Sequence, residues 1–360
     1  MKRIIITVTN DINSDQRMIR IADSLLKLKY DVVMVGRIRR DSKELSGQNF
    51  QQHRFRLWFK KGKLFYAQYN ISLFFYLLFH HFDIVYSVDL DSIFPGWLVA
   101  RLKRKKIVYD AHEYFTELPE LEGRPFTRKC WELVGKLFVP RVDAAITVSF
   151  SLAEEMEKKY KKNFFVVRNV PLYAEVKLIP KEQRIILYQG VINKGRGIIE
   201  MLDALKEINA ELQIAGRGDI LDEVKIKIEK LDLTDKVQLL GNLNLLQLKA
   251  GNSQAAIGLN LLDSSSKNYY FSLANKFFDY VHAGVPSVCM NFPEYKRLNN
   301  EFEVSVLIPD LKKDTLRDAV NKLITDEKFY HTLQSNCLRA AKEWCWQEEE
   351  KKLIHVFEVV

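Results

Sequence analysis

Cysteine is scarce in this chain. Its 360 residues include four (Cys130, Cys289, Cys337 and Cys345), scattered, with no C-x-x-C pair and no zinc-like spacing to histidine. That excludes a disulfide framework and fits the reduced thiols of a cytoplasm. Long apolar runs are missing too. The most hydrophobic stretch, residues 71–79 (ISLFFYLLF), has nine residues, under half of what crosses a bilayer. The opening MKRIIITVTN has too few apolar residues behind its basic pair for a signal peptide and reads as a first strand. Disorder is excluded by composition: 47% apolar and 12% aromatic residues are ample for two cores, and the length is that of two ordinary domains.

What is present is an uneven charge. Residues 1–170 carry 30 Lys+Arg against 19 Asp+Glu, whereas residues 171–360 carry 25 against 27. A basic first half suits an anionic partner: nucleic acid, an acidic membrane surface or a phosphorylated substrate. No helix-turn-helix or other recognition motif accompanies the charge, so no nucleic acid is expected.

Strand and helix periods alternate along the chain. Residues 3–8 are a β-branched run, Met18, Ile21, Ala22, Leu25 and Leu26 mark an amphipathic helix, and DVVMV follows as a second strand. Further strands are expected at 54–59, 83–87, 106–109, 144–148 and 166–170, with helices at 64–82, 93–103 and from 151. After a linker at 171–183 with two prolines, the pattern restarts: strands at 185–188, 211–215, 237–240, 255–259 and 286–290, helices at 197–208 and 219–231, and a helical pattern over 337–360. The expected fold class is α/β: two consecutive doubly wound, Rossmann-like domains with parallel sheets. Ligands of such sheets bind beyond the strands' carboxyl ends, so chemistry is expected in the strand-to-helix loops.

Two of those loops suit a diphosphate. Gly190-Val-Ile-Asn-Lys-Gly-Arg-Gly197 lies between a strand and a helix, where glycines free backbone amides to face an anion and the helix N-terminus adds partial positive charge. Gly190, Lys194, Gly195 and Arg196 are its candidate residues, with Gly216 of the next loop; the alternative is an ordinary glycine turn with solvated basic residues. The second is Ser272-Leu-Ala-Asn-Lys-Phe-Phe-Asp279. Lys276 falls in a first helical turn, where the helix dipole disfavours it unless an anion is near. Asn275 shares that turn, and Asp279, one turn on, is placed to hold ribose hydroxyls.

NKFFDYVHAGVPSV resembles the donor-site helix of family 4 of the retaining glycosyltransferases, and YQGVINKGRG is similar to that family's donor loop. Ser272, Asn275, Lys276, Phe278 and Asp279 match a bacterial subgroup reading S-x-x-N-K-x-F-[ED]-Y. Phe271 stands where the family often has the first of two glutamates, and Val191 where it often has arginine. NDINSDQRMIRIA, YSVDLDSIFPG and VYDAHEYFTELPEL resemble N-terminal loops of the same subgroup. The resemblance implies a GT-B architecture with an interdomain cleft: an acceptor-binding domain over 1–172, a donor-binding domain over 173–342, and a helix over 343–360 crossing back to the first domain. It implies catalytic roles for His112, Glu113, Arg196 and Lys276, and contact of His112 with the donor sugar or the reacting centre. Asp15, Arg17 and Asp89 are expected on the acceptor side, Asp15 and Arg17 being equally readable as a helix cap and an ion pair.

The expected function is then a retaining, metal-independent glycosyltransferase of hexosyltransferase type. It would move a sugar from a UDP- or GDP-sugar to a saccharide or lipid-diphosphate-linked acceptor in bacterial cell-surface polysaccharide synthesis. No cofactor is expected, and no metal, although Asp89 and Asp91 form Asp-x-Asp. The alternatives are a sugar-nucleotide epimerase of the same fold and a non-catalytic sugar-nucleotide or lipid-binding protein. The basic, aromatic stretch 54–79 suits a membrane interface or a strand and buried helix with basic rims. The second reading is favoured for 64–79, with Arg37, Arg39, Arg40, Arg54, Arg56, Lys60, Lys61 and Lys63 the candidates for an anionic membrane. The protein is expected in the cytoplasm, at the inner face of the membrane where that contact is made.

Overall fold

The computed structural model describes residues 1–13, 15–40, 42–45, 47–176, 178 and 184–360. Part of the 171–183 linker lies outside the described residues. The chain divides into two compact units, residues 1–169 with 348–360, and residues 170–347.

The first unit is a parallel sheet of β1 (Arg3–Thr7), β2 (Asp31–Arg37), β3 (Gln51–Phe55), β4 (Ile84–Val88), β5 (Lys106–Ala111), β6 (Ala144–Thr147) and β7 (Phe165–Val166), in the order β3-β2-β1-β4-β5-β6-β7. Between them run α1 (Gln16–Lys27), α2 (Gly62–Phe79), α3 (Leu90–Leu102), α4 (Pro125–Phe138) and α5 (Phe150–Tyr160). The central strands are apolar because both faces are covered: Ile4, Ile5, Ile6, Val85 and Val108 are all buried.

The second unit is a parallel sheet in the order β10-β9-β8-β11-β12-β13. Its strands are β8 (Ile185–Gln189), β9 (Glu211–Ala215), β10 (Val237–Gly241), β11 (Ile257–Asn260), β12 (Ser287–Met290) and β13 (Ser305–Ile308). Its helices are α6 (Ile198–Leu205), α7 (Leu221–Lys230), α8 (Leu245–Gln254), α9 (Lys267–Tyr270), α10 (Asn275–His282), α11 (Pro293–Glu301), α12 (Lys313–Thr325) and α13 (Glu327–Glu343). The strand order reverses at β8 and β11, the switch point where such sheets hold ligands. The last helix, α14 (Trp346–Val359), returns the chain to the first unit. Its Glu349, fully buried, accepts from the Arg168 backbone N–H (2.9 Å) and Nε (2.7 Å).

Several elements differ from expectation. The strand expected at 54–59 ends at Phe55, because among the described residues β3 pairs only with β2 and stops where Arg37, β2's last residue, pairs with Phe55. Beyond it, the Trp58 and Phe59 amides donate to Gln68 Oε1 (3.0 and 3.1 Å). The strand expected over 166–170 is β7 at 165–166 alone. The helical pattern of 337–360 is two helices, interrupted where Trp344 turns into the second unit's core against Phe277, Phe278 and Phe302. Helix α2 is not buried all round: Phe65, Tyr69, Leu73 and Leu77 face inward, while Leu64, Ile71, Phe75 and Phe79 are exposed. α4, α8, α9, α11, α12 and β13 have no counterpart among the expected elements.

Candidate functional site

In the second unit the two glycine loops interlock. Gly190 N–H donates to Ala215 O (2.9 Å), Ile192 N–H to Arg217 O (2.9 Å) and Asp219 N–H to Asn193 Oδ1 (3.0 Å). Gly216 sits at φ +151°, and a Cβ there would overlap the Gly190 carbonyl oxygen, so only glycine lets the loops approach this closely. A cavity of about 330 Å³ opens beside them, lined by Gly190, Gly216, Asn275, Lys276 and Asp279 together with Gln189, Arg217, Asn242, Leu243 and Leu248.

Helix α10 is set rigidly into this cavity's wall. Tyr280 Oη donates to Leu187 O (3.0 Å) and the Ala274 N–H to Tyr295 Oη (2.9 Å), while Phe277 and Phe278 pack on Trp344. That places Lys276 in the first turn with only 7% of its surface exposed and its Nζ 4.0 Å from the centre of the Tyr188 ring. Among the described residues its Nζ has no hydrogen-bond partner, nor has Nε of Arg196, whose guanidinium lies 4.9 Å from the Tyr269 ring. Burial, with the Arg196 charge adding to it, pulls the Lys276 amine from 10.5 down to about 7. A buried amine beside a half-buried guanidinium, with no counter-ion among the described residues, is costly. A dianion seated there would relieve both. Gln189 Nε2 donates to Asp279 Oδ2 (2.8 Å), which orients that carboxylate from the end of β8.

Arg196 and the remaining expected donor residues, Lys194, Gly195 and Ser272, stand apart from the cavity lining. Lys194 is exposed. Gly195 and Gly197, at φ +79° and +69°, shape the turn into α6, where Cβ atoms would meet Asp263 and Leu261. The Ser272 hydroxyl donates to Tyr269 O (2.8 Å). Sequence reasoning missed Tyr188, Gln189, Tyr269 and Asn242. The rule that ligands gather at strand ends could have found Gln189 and Asn242; nothing local marks the two tyrosines.

The first unit collects a separate cluster at the carboxyl ends of β1, β4 and β5. Asp110, fully buried, accepts from Arg17 Nε (3.1 Å) and Nη2 (3.0 Å) and from Tyr86 Oη (2.7 Å). It also faces His112 Nε2 at 3.1 Å. Burial opposes ionisation of Asp110, but Arg17 and His112 outweigh it and hold its carboxyl well below the usual range. Burial likewise lowers the His112 pKa, yet Asp110 reverses this and lifts it to about 9, so the ring is an imidazolium at neutral pH and its Nε2–H donates to Asp110. Asp89 Oδ1 accepts from the His112 N–H (3.0 Å), at a left-handed φ of 55°, a strained conformation of the kind found at functional sites. Burial raises the Asp89 carboxyl to about 8.

Arg17 takes the ion-pair reading. It is 2% exposed, and its remaining donor reaches Val167 O (2.7 Å), so it stands behind His112 as half of a buried ion pair. Asp15 caps α1, accepting from the Met18 N–H (3.1 Å). Glu113 is exposed next to His112. Asp89 and Asp91 have diverging partners, Asp91 Oδ2 accepting from Thr9 Oγ1 (2.7 Å). The roles of Asp110 and Tyr86 were not foreseen, because their partners lie far off in sequence.

Two family profiles match the chain: the one described as Glycosyltransferase Family 4 over residues 16–170, and the one described as Glycosyl transferases group 1 over residues 170–343. No curated protein matches by sequence. Solved structures share the fold at low identity. Sucrose-phosphate synthase from Thermosynechococcus elongatus has a TM-score of 0.83 at 15% identity, covering 99% of this chain and 98% of its own. Anabaena Alr3699/HepE in complex with UDP-glucose has a TM-score of 0.78 at 12% identity, with 100% of both chains covered. WaaG, a glycosyltransferase involved in lipopolysaccharide biosynthesis, has a TM-score of 0.73 at 15% identity, covering 98% and 99%. With profiles spanning residues 16–343 and two parallel Rossmann-like sheets, the chain belongs to the glycosyltransferases of the GT-B type.

Proposed function

We propose that this glycosyltransferase moves a hexosyl group from a UDP- or GDP-sugar to a saccharide or lipid-diphosphate-linked acceptor, with retention of configuration and without a metal ion. One observation carries the donor half: the buried Lys276 amine, which lines a cavity edged by the Gly190 and Gly216 loops, has no hydrogen-bond partner among the described residues, and Arg196, whose charge it feels, has an Nε equally without one. Glycosyl transfer through an oxocarbenium-like state leaves negative charge on the departing diphosphate. Preorganised cations and amides that need no rearrangement stabilise that charge. Asp279, held by Gln189, would take the ribose hydroxyls. The resemblance to retaining family members supports retention, and the complex of HepE with UDP-glucose supports a nucleotide-sugar donor. His112, and Glu113 next to it, are assigned to the donor sugar or the reacting centre by the same resemblance. The acceptor side belongs to the first unit, with Asp89. Cell-surface polysaccharide synthesis in the cytoplasm, at an anionic membrane surface, is the setting this reading implies.

The test is donor binding and turnover in Arg196→Ala and Lys276→Ala. Losing one partner of a desolvated charge contact costs about 2–5 kcal/mol, so affinity for UDP- or GDP-sugars should fall at least about thirtyfold, with the circular dichroism spectrum unchanged. Unchanged nucleotide affinity in both variants would refute the donor-site assignment, and turnover extinguished by EDTA would refute metal independence.

A further inference from the structure

We propose that the outer face of α2, with the loop before it and the adjoining end of α4, is the surface by which the first unit docks on an anionic phospholipid bilayer. This deepens the membrane-surface part of the proposed function and stands apart from its donor-site part.

Helix α2 is apolar on both sides. Its inner side packs through Phe65, Tyr69, Leu73 and Leu77, and its outer side leaves Leu64, Ile71, Phe75 and Phe79 exposed, one or two turns apart along a single stripe. Phe75 and Phe79 stack on each other, centroids 6.3 Å apart at 10°. The stripe is extended at its start by Trp58, 87% exposed, and Phe59, because Gln68 of α2 holds both their amides. Phe126, at the start of α4, joins through the Lys63 amine, 4.9 Å from its ring centre. Exposed apolar area this contiguous marks a docking surface. Among the described residues no helix is long and apolar enough to cross a membrane, so the geometry is that of an element lying in the interface plane.

Charge selects the partner. Neither α2 nor the segment 56–61 contains an acidic residue, and Lys60, Lys61 and Lys63 are exposed among the aromatic side chains. On α4, Lys129 and Lys136 are exposed, and the single acidic residue, Glu132, is paired with Arg128 (3.3 Å). A second copy of the same face would bring like charges together. An anionic bilayer takes the lysines at its headgroups and the aromatic rings at the acyl boundary.

Sedimentation with vesicles of phosphatidylcholine, with and without phosphatidylglycerol, tests this on the full chain. The chain should sediment only when phosphatidylglycerol is present, with a blue shift in fluorescence that Trp58→Ala removes. Lys61→Ala/Lys63→Ala should partition about 25-fold less, since each lysine near an anionic surface contributes roughly fivefold. Phe75→Ser/Phe79→Ser should partition at least about tenfold less. UDP-glucose binding by the same variants should be unchanged, which separates failure here from failure of the donor site. The proposal is overturned by absent sedimentation, by equal binding to phosphatidylcholine alone, by both variants behaving as the parent chain, or by a concentration-dependent dimer that Phe75→Ser/Phe79→Ser dissolves.

Discussion

With Lys276 in the proposed donor site, donor binding should depend on pH in a definite direction. In the free protein burial and Arg196 hold its amine at about 7; beside a diphosphate the charged form is favoured and the value rises. Above pH 7, binding must therefore take up a proton, and affinity falls as pH rises. With a value of about 7, the amine is about nine-tenths protonated at pH 6 and about one-thirtieth at pH 8.5. The association constant for a UDP-sugar should thus drop about 30-fold between those values, approaching tenfold per pH unit, with about one proton taken up at pH 8.5. A UDP-sugar is the right probe, because its diphosphate diester stays a dianion throughout. Calorimetry in two buffers of different ionisation enthalpy reads affinity and proton uptake together. Lys276→Met should bind weakly at pH 6 and show no slope. Uptake near zero in the parent chain, or an undiminished slope in Lys276→Met, would refute the reasoning. The same lowered value means that the folded second unit gains stability as pH rises from about 7 to 10.5, where the unfolded chain holds the extra proton.

Asp110→Asn should leave Arg17 buried without its counter-charge, at a cost of about 3–5 kcal/mol in denaturant unfolding. It should also return the His112 imidazole from about 9 toward 6.5 in an NMR titration; a His112 that does not move would show that Asp110 is not what holds its proton. Because the folded value exceeds the unfolded one, the stability His112 provides is complete below about pH 6.5 and lost as pH rises through 9, and the variant should lack that slope. Gly216→Ala drives a Cβ into the Gly190 carbonyl and should cost about 2 kcal/mol or more along with UDP-sugar binding. Gly190→Ala should be milder: its φ of +134° strains an alanine, but a Cβ there meets only the Tyr188 hydroxyl, at 3.8 Å. Normal binding by Gly216→Ala would mean the loops need not touch.

Much of the architecture was legible because strand cores covered on both faces must be continuous apolar runs, as IIIT, DVVMV and IILY are. The rule that ligands collect at strand ends then pointed to the glycine loops and to Lys276, whose place in a first helical turn is unfavourable without an anion. Arg17 was legible only in part: an arginine at a helix start reads equally as a site residue or an ion pair, and its partner Asp110 is 93 residues away.

Local pattern alone determined two parallel α/β units, the glycine loops at their strand ends and a lysine in a first helical turn, because these depend on residue period and on neighbours within a turn. Tertiary structure decided that Tyr188 and Tyr269 lie beside the two cations, that Arg17 backs His112, and which side of α2 stays bare. Those facts depend on groups that only the folded sheet brings together, and for a helix apolar all round, periodicity holds no information about which side is covered.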